Sequence, residues 1–252
     1  MGERTIIKAV KSSDGSYTAY SQEYDEHYHS TKDGALNESL HKHVIPALLH
    51  TQSKHEITIL DICFGLGFNT LATLYYLHVN KIKKKVTIIS PEQDAALIES
   101  LQTFHYPEIF TPFLHIIAAL SNGCEYHNAN LHVKIVVGDA RAYVSRSKER
   151  FDIVYHDAFS PTVNPALWTR EYFADIVNVM KDDAILTTYS TALKTRLALH
   201  EQQLHVYINR GEGYRNATVA SKQELSGYIK VNMEHKMACN PNVLPLCDEH
   251  IK

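Results

Sequence analysis

The chain has 252 residues, and its hydrophobic fraction of 44% is enough for a sizeable core and too high for a disordered protein. Its formal net charge of -3 excludes a bulk attraction to nucleic acid or anionic membranes, so any basic surface must be local. No apolar run approaches the roughly 20 residues of a membrane helix, so no membrane partner is expected. The four cysteines form no CxxC pair, and no signal peptide is recognisable. We expect free thiols, no metal ion and a cytoplasmic protein.

The first fifty residues predict an extension of short strands and one helix. Extended segments are predicted at residues 5–10 and 17–20, joined by a glycine-containing turn. Residues 24–30 are too polar for a core strand. An amphipathic helix is predicted over residues 35–49 from apolar side chains at helical spacing, namely Leu36, Leu40, Val44 and Leu48.

From residue 57 onward, strands and helices alternate. The strands are predicted at residues 57–63, 86–90, 133–137, 151–156, 184–189, 205–208 and 217–221. The helices are predicted at residues 69–79, 94–103, 140–148, 169–180 and 193–202. This alternation predicts an α/β fold with a doubly wound, Rossmann-like sheet of seven strands, the last two forming an antiparallel edge pair.

Two segments interrupt or follow this pattern. Residues 104–131 predict an irregular insertion with one short helix, and the residues after 225 predict a loosely structured tail. The chain is therefore divided into an extension (1–50), a ligand-binding domain (51–225) and a tail (226–252).

The first predicted strand of the domain leads into a glycine turn. It contains Asp61 and breaks into Gly65 and Gly67, which are spaced by one residue. Glycine lets the backbone approach a ligand, and the following helix N-terminus favours negative charge. The third glycine of a pyrophosphate-binding motif is missing, which favours S-adenosylmethionine, a ligand with an adenosine and a carboxylate. A tight turn without a ligand is the alternative for this motif alone.

Acidic residues also follow the next two predicted strands. Glu92 is placed to accept both ribose hydroxyl protons, and Asp139 to accept from the adenine amine. Each has a structural alternative, because acidic residues at such positions also cap helices or face solvent, and Asp94 is equally a capping candidate. Three acidic strand ends in succession are harder to dismiss than one.

The fourth strand of the domain is followed by the most distinctive loop. It begins at Asp157 and contains two prolines, Asn164 and, at position 168, the only tryptophan of the chain. Reacting groups meet at the carboxyl ends of strands in open α/β sheets. We therefore interpret Asp157 as functional, whereas Trp168 is interpreted as a residue that packs the following helix onto the sheet.

These motifs carry a resemblance to a family. The matching segments are Asp14-Gly15-Ser16-Tyr17-Thr18, Tyr24-Asp25-Glu26-His27-Tyr28-His29-Ser30, Gly34-Ala35-Leu36, Cys63-Phe64-Gly65-Leu66-Gly67-Phe68-Asn69, and Asp157-Ala158-Phe159-Ser160-Pro161 with Asn164-Pro165 and Trp168. The chain resembles the MnmC-type methyltransferases of tRNA wobble-uridine modification, in a stand-alone form without the fused FAD-dependent oxidoreductase domain. The resemblance implies a class I methyltransferase fold and methyl transfer from S-adenosylmethionine to 5-aminomethyl-2-thiouridine, which gives 5-methylaminomethyl-2-thiouridine.

The resemblance also implies site residues. Asp157 is the catalytic residue, and the cofactor-binding residues are Asp61, Phe64, Gly65, Gly67, Asn69, Glu92, Asp139 and Ala140. The substrate-binding residues are Tyr28, His29, Ser30, Phe159, Pro161, Asn164 and Arg215. Relatives carry a more basic stretch near residues 211–216, of which only Arg215 remains here, and this weakens the expected tRNA contact. The implied partners are tRNA and a separate FAD-dependent oxidoreductase.

Two other functions stay open at this point. One is an aminopropyltransferase of polyamine synthesis, which shares the fold and uses decarboxylated S-adenosylmethionine with a diamine. The other is a non-catalytic α/β module that binds a nucleotide or RNA. For the methyltransferase, Asp157 is expected to accept a hydrogen bond from the acceptor amine and orient its lone pair, because its ordinary pKa of about 3.9 makes it a weak base.

Overall fold

The computed structural model describes residues 8–251, and the first part of the predicted strand over residues 5–10 lies outside them. The described part of the chain starts with a three-stranded antiparallel sheet of β1 (Ala9–Lys11), β2 (Tyr17–Ser21) and β3 (Glu26–His27), in that order. This small sheet brings residues 21–29 over the carboxyl edge of the large sheet described below, where they form one wall of a pocket.

The predicted helix over residues 35–49 is present but is not a regular α-helix. It consists of α1 (Ala35–Glu38), a π-helical turn (Ser39–Val44) and α2 (Ile45–His50). Val44 and Leu48 are buried as expected, whereas the other two apolar positions of the predicted face are half-buried. A π turn holds more residues than an α turn, so the buried face shifts. Four polar residues occupy the buried face instead: Glu38, Ser39, Lys42 and His43.

The large sheet has nine strands. They are β4 (Glu56–Ile62), β5 (Lys85–Glu92), β6 (Glu125–His127), β7 (Leu131–Val137), β8 (Phe151–His156), β9 (Met180–Thr188), β10 (His205–Asn209), β11 (Ala217–Ser221) and β12 (Ile229–Lys230). Their spatial order is β12-β10-β11-β9-β8-β4-β5-β7-β6.

This topology confirms the predicted fold class and corrects the strand count. All seven predicted strands belong to the sheet, with β7, β5, β4, β8 and β9 parallel and the pair β10–β11 antiparallel. The count of seven is wrong for the described residues, because the two short strands β6 and β12 pair with the outer strands. The chain leaves β4 towards β5 and later returns to β8 on its other side, which opens a crevice at the carboxyl ends of these strands.

Helices cover both faces of the sheet. They are α3 (Phe68–Val79), α4 (Ala95–Ser100), α5 (Leu114–Gly123), α6 (Ala140–Arg146), α7 (Arg170–Val179), α8 (Leu193–Glu201) and α9 (Met233–Cys239). One apolar core includes side chains of α3 and α5, and the other includes side chains of α6, α7 and α8. Among residues 8–251, no helix combines the length and the apolarity that crossing a bilayer requires.

The insertion and the tail are more ordered than predicted. The insertion contains a 3₁₀ turn (Glu108–Phe113), the ten-residue helix α5 and strand β6. After residue 225, β12 pairs with β10, and α9 packs against α8, with Met233 buried in the core that α8 shares. The prediction of a loosely structured tail is wrong in these respects, because side chains separated by long stretches of sequence supply its core. The three-part division of the chain stays a prediction.

Candidate active site

A cavity of about 370 Å³ opens at the carboxyl ends of β4, β5 and β8, within the usual size range of small-molecule sites. Its walls also include residues of the amino-terminal sheet and of the loop that follows β8. The predicted site residues that line it are Tyr28, His29, Phe64, Gly65, Asn69, Glu92, Asp139, Ala140, Asp157, Phe159 and Asn164.

The turn after β4 forms the base of this cavity. Gly65 has φ +53° and lines the cavity, and a Cβ there would lie 3.3 Å from the Tyr28 ring. Gly67 has φ +74° and precedes α3, and a Cβ there would lie 2.9 Å from the Phe64 ring. Gly67 is outside the cavity lining, so its role in the structure is to shape the turn.

Glu92 is the last residue of β5, whereas the sequence predicted that it lies just after the end of this strand. Its Oε2 accepts a hydrogen bond from the Gly65 N–H (2.9 Å), and its Oε1 accepts one from the Asp94 N–H (3.0 Å). Burial raises the pKa of the carboxyl group, and the two backbone donors partly oppose that effect. Each carboxylate oxygen has further lone-pair capacity, so Glu92 can accept two more hydrogen bonds from a ligand.

Asp139 caps a helix and also lines the cavity, and its contact with adenine stays a prediction. Its Oδ1 caps α6 by accepting from the Ala142 N–H (2.6 Å), and the residue also lines the cavity beside Ala140. The cap uses Oδ1, so Oδ2 of Asp139 can still accept a hydrogen bond.

Asp61 lies beneath the cavity and does not line it. Its Oδ1 accepts from Asn69 Nδ2 (3.2 Å) and its Oδ2 from Thr70 Oγ1 (3.3 Å). Burial and the nearby charge of Asp157 raise the pKa of Asp61 well above its ordinary value. A carboxyl group in such an environment favours the neutral form.

Asp157 immediately follows β8 and lines the cavity. Asn69 Nδ2 donates to its Oδ2 (2.9 Å), and His43 Nε2 lies 3.4 Å from its Oδ1. Burial alone would raise the pKa of Asp157. The contact with His43 and the Asn69 hydrogen bond outweigh it and hold the pKa below its usual range. Asp157 is therefore ionised at neutral pH, in contrast to Asp61.

The loop after β8 is fixed by three anchors. The Trp168 indole N–H donates to the Phe159 carbonyl (2.7 Å), and the Tyr189 hydroxyl donates to the Ala158 carbonyl (3.0 Å). From the amino-terminal sheet, Glu26 accepts from the backbone N–H of Ser160 (3.0 Å) and from its hydroxyl. Trp168 is buried, which confirms the packing interpretation, and its indole nitrogen also shapes the loop.

Aromatic side chains surround the cavity on the side of this loop. The Phe159 ring stacks on Tyr24, with centroids 4.4 Å apart and planes at 20°, and it also contacts Tyr28 at 5.0 Å. His29 is buried with its Nδ1 unpartnered, and burial lowers its pKa, which favours the neutral imidazole. Planar aromatic faces of this kind are suited to an unstacked base.

Three predicted substrate residues, Ser30, Pro161 and Arg215, lie outside the cavity lining. Arg215 Nη2 donates to Ser30 Oγ (3.0 Å), so two of the three contact each other, and Arg215 Nε donates to Asp33 Oδ2 (2.9 Å). The third, Pro161, is half-buried in the loop after β8. Their assignment to the substrate stays a prediction.

The sequence interpretation missed Tyr24, Glu26 and His43. Tyr24 and Glu26 belong to the polar segment 24–30, whose pattern gives no sign that its side chains face the distant loop after β8. For His43 there was a signal, because it neighbours Val44 on a helix whose apolar face is buried. A polar residue within a buried helix face requires a partner.

The charge of the cavity is one-sided. Within residues 8–251, no lysine or arginine lines it. Five carboxylate side chains do: Glu23, Glu92, Asp94, Asp139 and Asp157. Such a lining favours a cationic ligand, such as a sulfonium or an ammonium, and disfavours a phosphate. The four cysteines in this part of the chain are free thiols.

Comparison with known proteins agrees with this geometry. Residues 105–223 match a family model of S-adenosyl-L-methionine-dependent methyltransferases. The crystal structure of MnmC2 from Aquifex aeolicus has 31% sequence identity and a TM-score of 0.84, and the match covers 98% of this chain and 80% of that one. The protein is thus a methyltransferase that uses S-adenosylmethionine. The chain belongs to the MnmC-type family of such enzymes.

Curated relatives extend the similarity. The uncharacterized protein MJ0670 from Methanocaldococcus jannaschii is 31% identical over 197 residues, which cover 75% of this chain. The tRNA 5-methylaminomethyl-2-thiouridine biosynthesis bifunctional protein MnmC from Paraburkholderia xenovorans is 24% identical over 86% of this chain. The chain spans about half of the first relative (52%) and about a third of the second (35%).

Proposed function

We propose that the protein transfers the methyl group of S-adenosylmethionine to the 5-aminomethyl group of the wobble 2-thiouridine in tRNA, forming 5-methylaminomethyl-2-thiouridine. The observation that carries the proposal is an ionised Asp157 in a cavity that carboxylates line and that, over residues 8–251, no lysine or arginine lines. Such a site suits a cationic methyl donor and an acceptor that arrives as an ammonium ion. The names of the bifunctional MnmC relatives support the choice of nucleoside.

The cofactor residues fit the adenosine and methionine parts of the donor. Glu92 retains acceptor capacity for two ribose hydroxyls, Asp139 for the adenine amine beside Ala140, and Gly65 and Phe64 line the cavity next to them. Gly67 and Asp61 support this wall from outside, through the turn and through Asn69. When bound, S-adenosylmethionine supplies an electrophilic methyl group.

Asp157 then positions the acceptor. Its carboxylate accepts a hydrogen bond from the aminomethyl group and orients the nitrogen lone pair for in-line attack. Tyr28, His29 and Phe159 face the same cavity and provide a surface on which an unstacked wobble base can lie, next to Asn164. Ser30 and Pro161 lie outside the cavity lining, and we retain them as candidate contacts for the rest of the anticodon loop.

The tRNA partner requires a local attraction, because the protein has a formal net charge of -3. The side chain of Arg215 is 67% exposed although its Nε is paired with Asp33, so its outer face is accessible to a phosphate. We extend the proposal to a separate FAD-dependent oxidoreductase as a pathway partner and to a cytoplasmic location. The comparisons support neither the aminopropyltransferase nor the non-catalytic alternative.

The test is an assay with S-adenosylmethionine labelled in its methyl group. The substrate is tRNA carrying 5-aminomethyl-2-thiouridine, with fully methylated tRNA and putrescine as matched controls. We expect label in 5-methylaminomethyl-2-thiouridine on nucleoside analysis and none in either control. Transfer of a propylamine group to putrescine from decarboxylated donor, or binding of donor and tRNA without turnover, would contradict the proposal.

A further inference from the structure

A buried histidine stands behind the catalytic carboxylate and has no role in the mechanism above. His43 lies on the π-helical turn between α1 and α2, and its side chain is completely buried. Its Nδ1 lies 3.0 Å from Thr187 Oγ1 on β9, and its ring meets the Tyr155 ring edge to face at 5.9 Å. Local π-helical turns inside helices often mark functional positions.

The second ring nitrogen is the unusual one. His43 Nε2 is buried without a hydrogen-bond partner, and the Asp157 Oδ1 atom lies 3.4 Å away. A buried polar atom without a partner carries a desolvation cost, and catalytic hydrogen bonds are often long before the substrate binds. Thr187 can donate to or accept from Nδ1, because a hydroxyl group does both, so it tolerates either tautomer and the charged ring.

The surroundings of His43 favour communication with Asp157. The other titratable groups that face it are His156 on β8 and His29 in the amino-terminal segment. From its own helix, Lys42 is paired with Glu38 and Asp33 at 2.6 Å each. On the α3 side, the nearest carboxyl group is Asp61, which shares Asn69 with Asp157. Asp157 is therefore the carboxylate next to His43 Nε2, and Asn69 holds its other oxygen.

We propose that His43 is a positioning residue for methyl transfer: from behind the cavity wall it holds Asp157 Oδ1, and the His43–Asp157 pair carries the proton that the acceptor ammonium releases. In this step one N–H bond of the ammonium breaks, and the nitrogen keeps the electron pair. The proton bonds first to Asp157 Oδ1 and is shared with His43 Nε2. It returns through the cavity to solvent when the product leaves.

This arrangement solves a problem that Asp157 alone leaves open. A carboxylate whose pKa lies below its usual range is a poor proton acceptor, although it is a good hydrogen-bond acceptor. The His43 imidazole places a second basic nitrogen 3.4 Å from Asp157 Oδ1, on the side away from the cavity, and this nitrogen can share the proton. Asn69 holds the other oxygen of Asp157, so the two contacts together fix the orientation of the carboxylate.

The inference rests on the proposed function, and its kinetic test uses two variants of His43. His43→Gln keeps an amide that can donate to Asp157 but cannot carry the proton. We expect kcat on aminomethyl-bearing tRNA to fall about 10-fold at neutral pH and to recover as the pH rises towards the pKa of the amine. His43→Phe also removes the donor, and we expect a loss on the order of 100-fold.

The control is His50→Gln, a matched change in the same helix. His50 Nε2 is bonded to the Asp183 carbonyl (2.8 Å), outside the residues that line the cavity. We expect wild-type kcat and an unchanged pH profile for it. A His43→Gln enzyme with wild-type kcat and pH profile would overturn the inference. So would a loss that appears only as weaker donor binding or a lower Tm.

A second measurement does not depend on turnover or on folding of the His43 variants. In protein labelled with ¹⁵N-histidine, we expect the ring nitrogen signals of His43 to move on Asp157→Asn while those of His50 stay in place. Unchanged His43 signals overturn the inference. Failure of the proposed function is distinguishable, because it appears as a wild-type enzyme that methylates no aminomethyl-bearing tRNA.

Discussion

An aspartate lies near each end of strand β8, and the two differ in how their carboxylate oxygens are paired. At the start, Asp152 is paired with Lys54 (2.6 Å) and Lys181 (2.7 Å) and accepts from the Thr58 N–H (2.8 Å). Burial would raise its pKa, but the hydrogen bonds and charges of the lysines lower it. After the end of the strand, Asp157 has Asn69, a long contact to His43, and a cavity.

The difference separates a structural carboxylate from a functional one. Both carboxylate oxygens of Asp152 accept from protein groups, so this residue joins the start of β8 to β4 and β9. Asp157 is ionised as well, but part of its acceptor capacity faces open space that a ligand can fill. Burial and charge alone do not distinguish the two residues; the direction of the unused lone pairs does.

The sharpest way to break this comparison is to replace each aspartate by asparagine. For Asp157→Asn we expect kcat to fall by about 10²–10³-fold with S-adenosylmethionine affinity unchanged, because the amine loses its charged acceptor. For Asp152→Asn we expect a normal kcat and a free energy of unfolding lower by about 2 kcal/mol, because two lysines lose their partner. Steady-state kinetics and urea denaturation distinguish the two, and similar profiles for both variants would contradict the comparison.

The two ends also respond to different ranges of pH. His156, the last residue of β8, is buried, and burial lowers its pKa to about 4 from an ordinary value near 6.5. The unfolded chain therefore binds a proton that the folded protein does not, so stability is complete above about pH 6.5 and is lost as the pH falls towards 4. The loss is about 3 kcal/mol.

Denaturation at a series of pH values checks this expectation. We expect the decline between pH 6.5 and 4 to be smaller in His156→Phe than in the wild type and unchanged in His50→Gln. The pKa of Asp152 is lowered instead, so its contribution is present above its ordinary pKa near 3.9 and is lost only below it. If His156→Phe and Asp152→Asn changed stability over the same pH range, the two ends of β8 would not be independent.

Glu92 tests the cavity side of the comparison through ligand affinity. Glu92→Gln keeps the shape but replaces one acceptor oxygen by a donor, so one ribose hydroxyl loses its partner. We expect the Kd for S-adenosylmethionine to rise about 10-fold or more in calorimetric titration. Tm falls modestly, because one of the two backbone N–H groups also loses its acceptor. The matched control is Glu224→Gln, an exposed carboxylate paired with Lys230, for which no change in Kd is expected. Equal affinity of Glu92→Gln and wild type would contradict the assignment.

Arg215 is expected to have the smallest effect. Arg215→Gln removes a half-exposed ion pair with Asp33 and one accessible positive charge. We expect KM for tRNA to rise about 3-fold, the slope of tRNA affinity against salt to fall by about 1, and stability to change by less than about 1 kcal/mol. Binding measured at several salt concentrations checks this, and a salt slope identical to that of the wild type would place the tRNA contact elsewhere.

The parts of the fold that the sequence predicted best are those buried on both faces. Strand β8 was predicted with its observed bounds, because all six of its residues are buried and four of them are apolar: Phe151, Ile153, Val154 and Tyr155. Strands β6 and β12 have only three and two residues, and they exist because an outer strand offers unpaired backbone groups. A pattern in the sequence cannot indicate such a pairing.

The residues of the candidate site also fall into two groups, those that the sequence could indicate and those that depend on tertiary contacts. Glu92, Asp139 and Asp157 stand at strand ends, and a strand end is visible in the sequence. The contacts of Arg215 with Asp33 and of Glu26 with Ser160 join residues 182 and 134 positions apart. His43 required knowledge that β8 and the helix carrying it meet behind one carboxylate. Such relations depend on the three-dimensional packing.

The most direct test of the central claim is a crystal structure of the protein with S-adenosylhomocysteine, the demethylated product of the donor. The account predicts the ribose on Glu92, the adenine beside Asp139, and the sulfur atom oriented so that its missing methyl group would point towards Asp157. A cavity that stays empty at saturating ligand, or a sulfur atom facing away from Asp157, would contradict it.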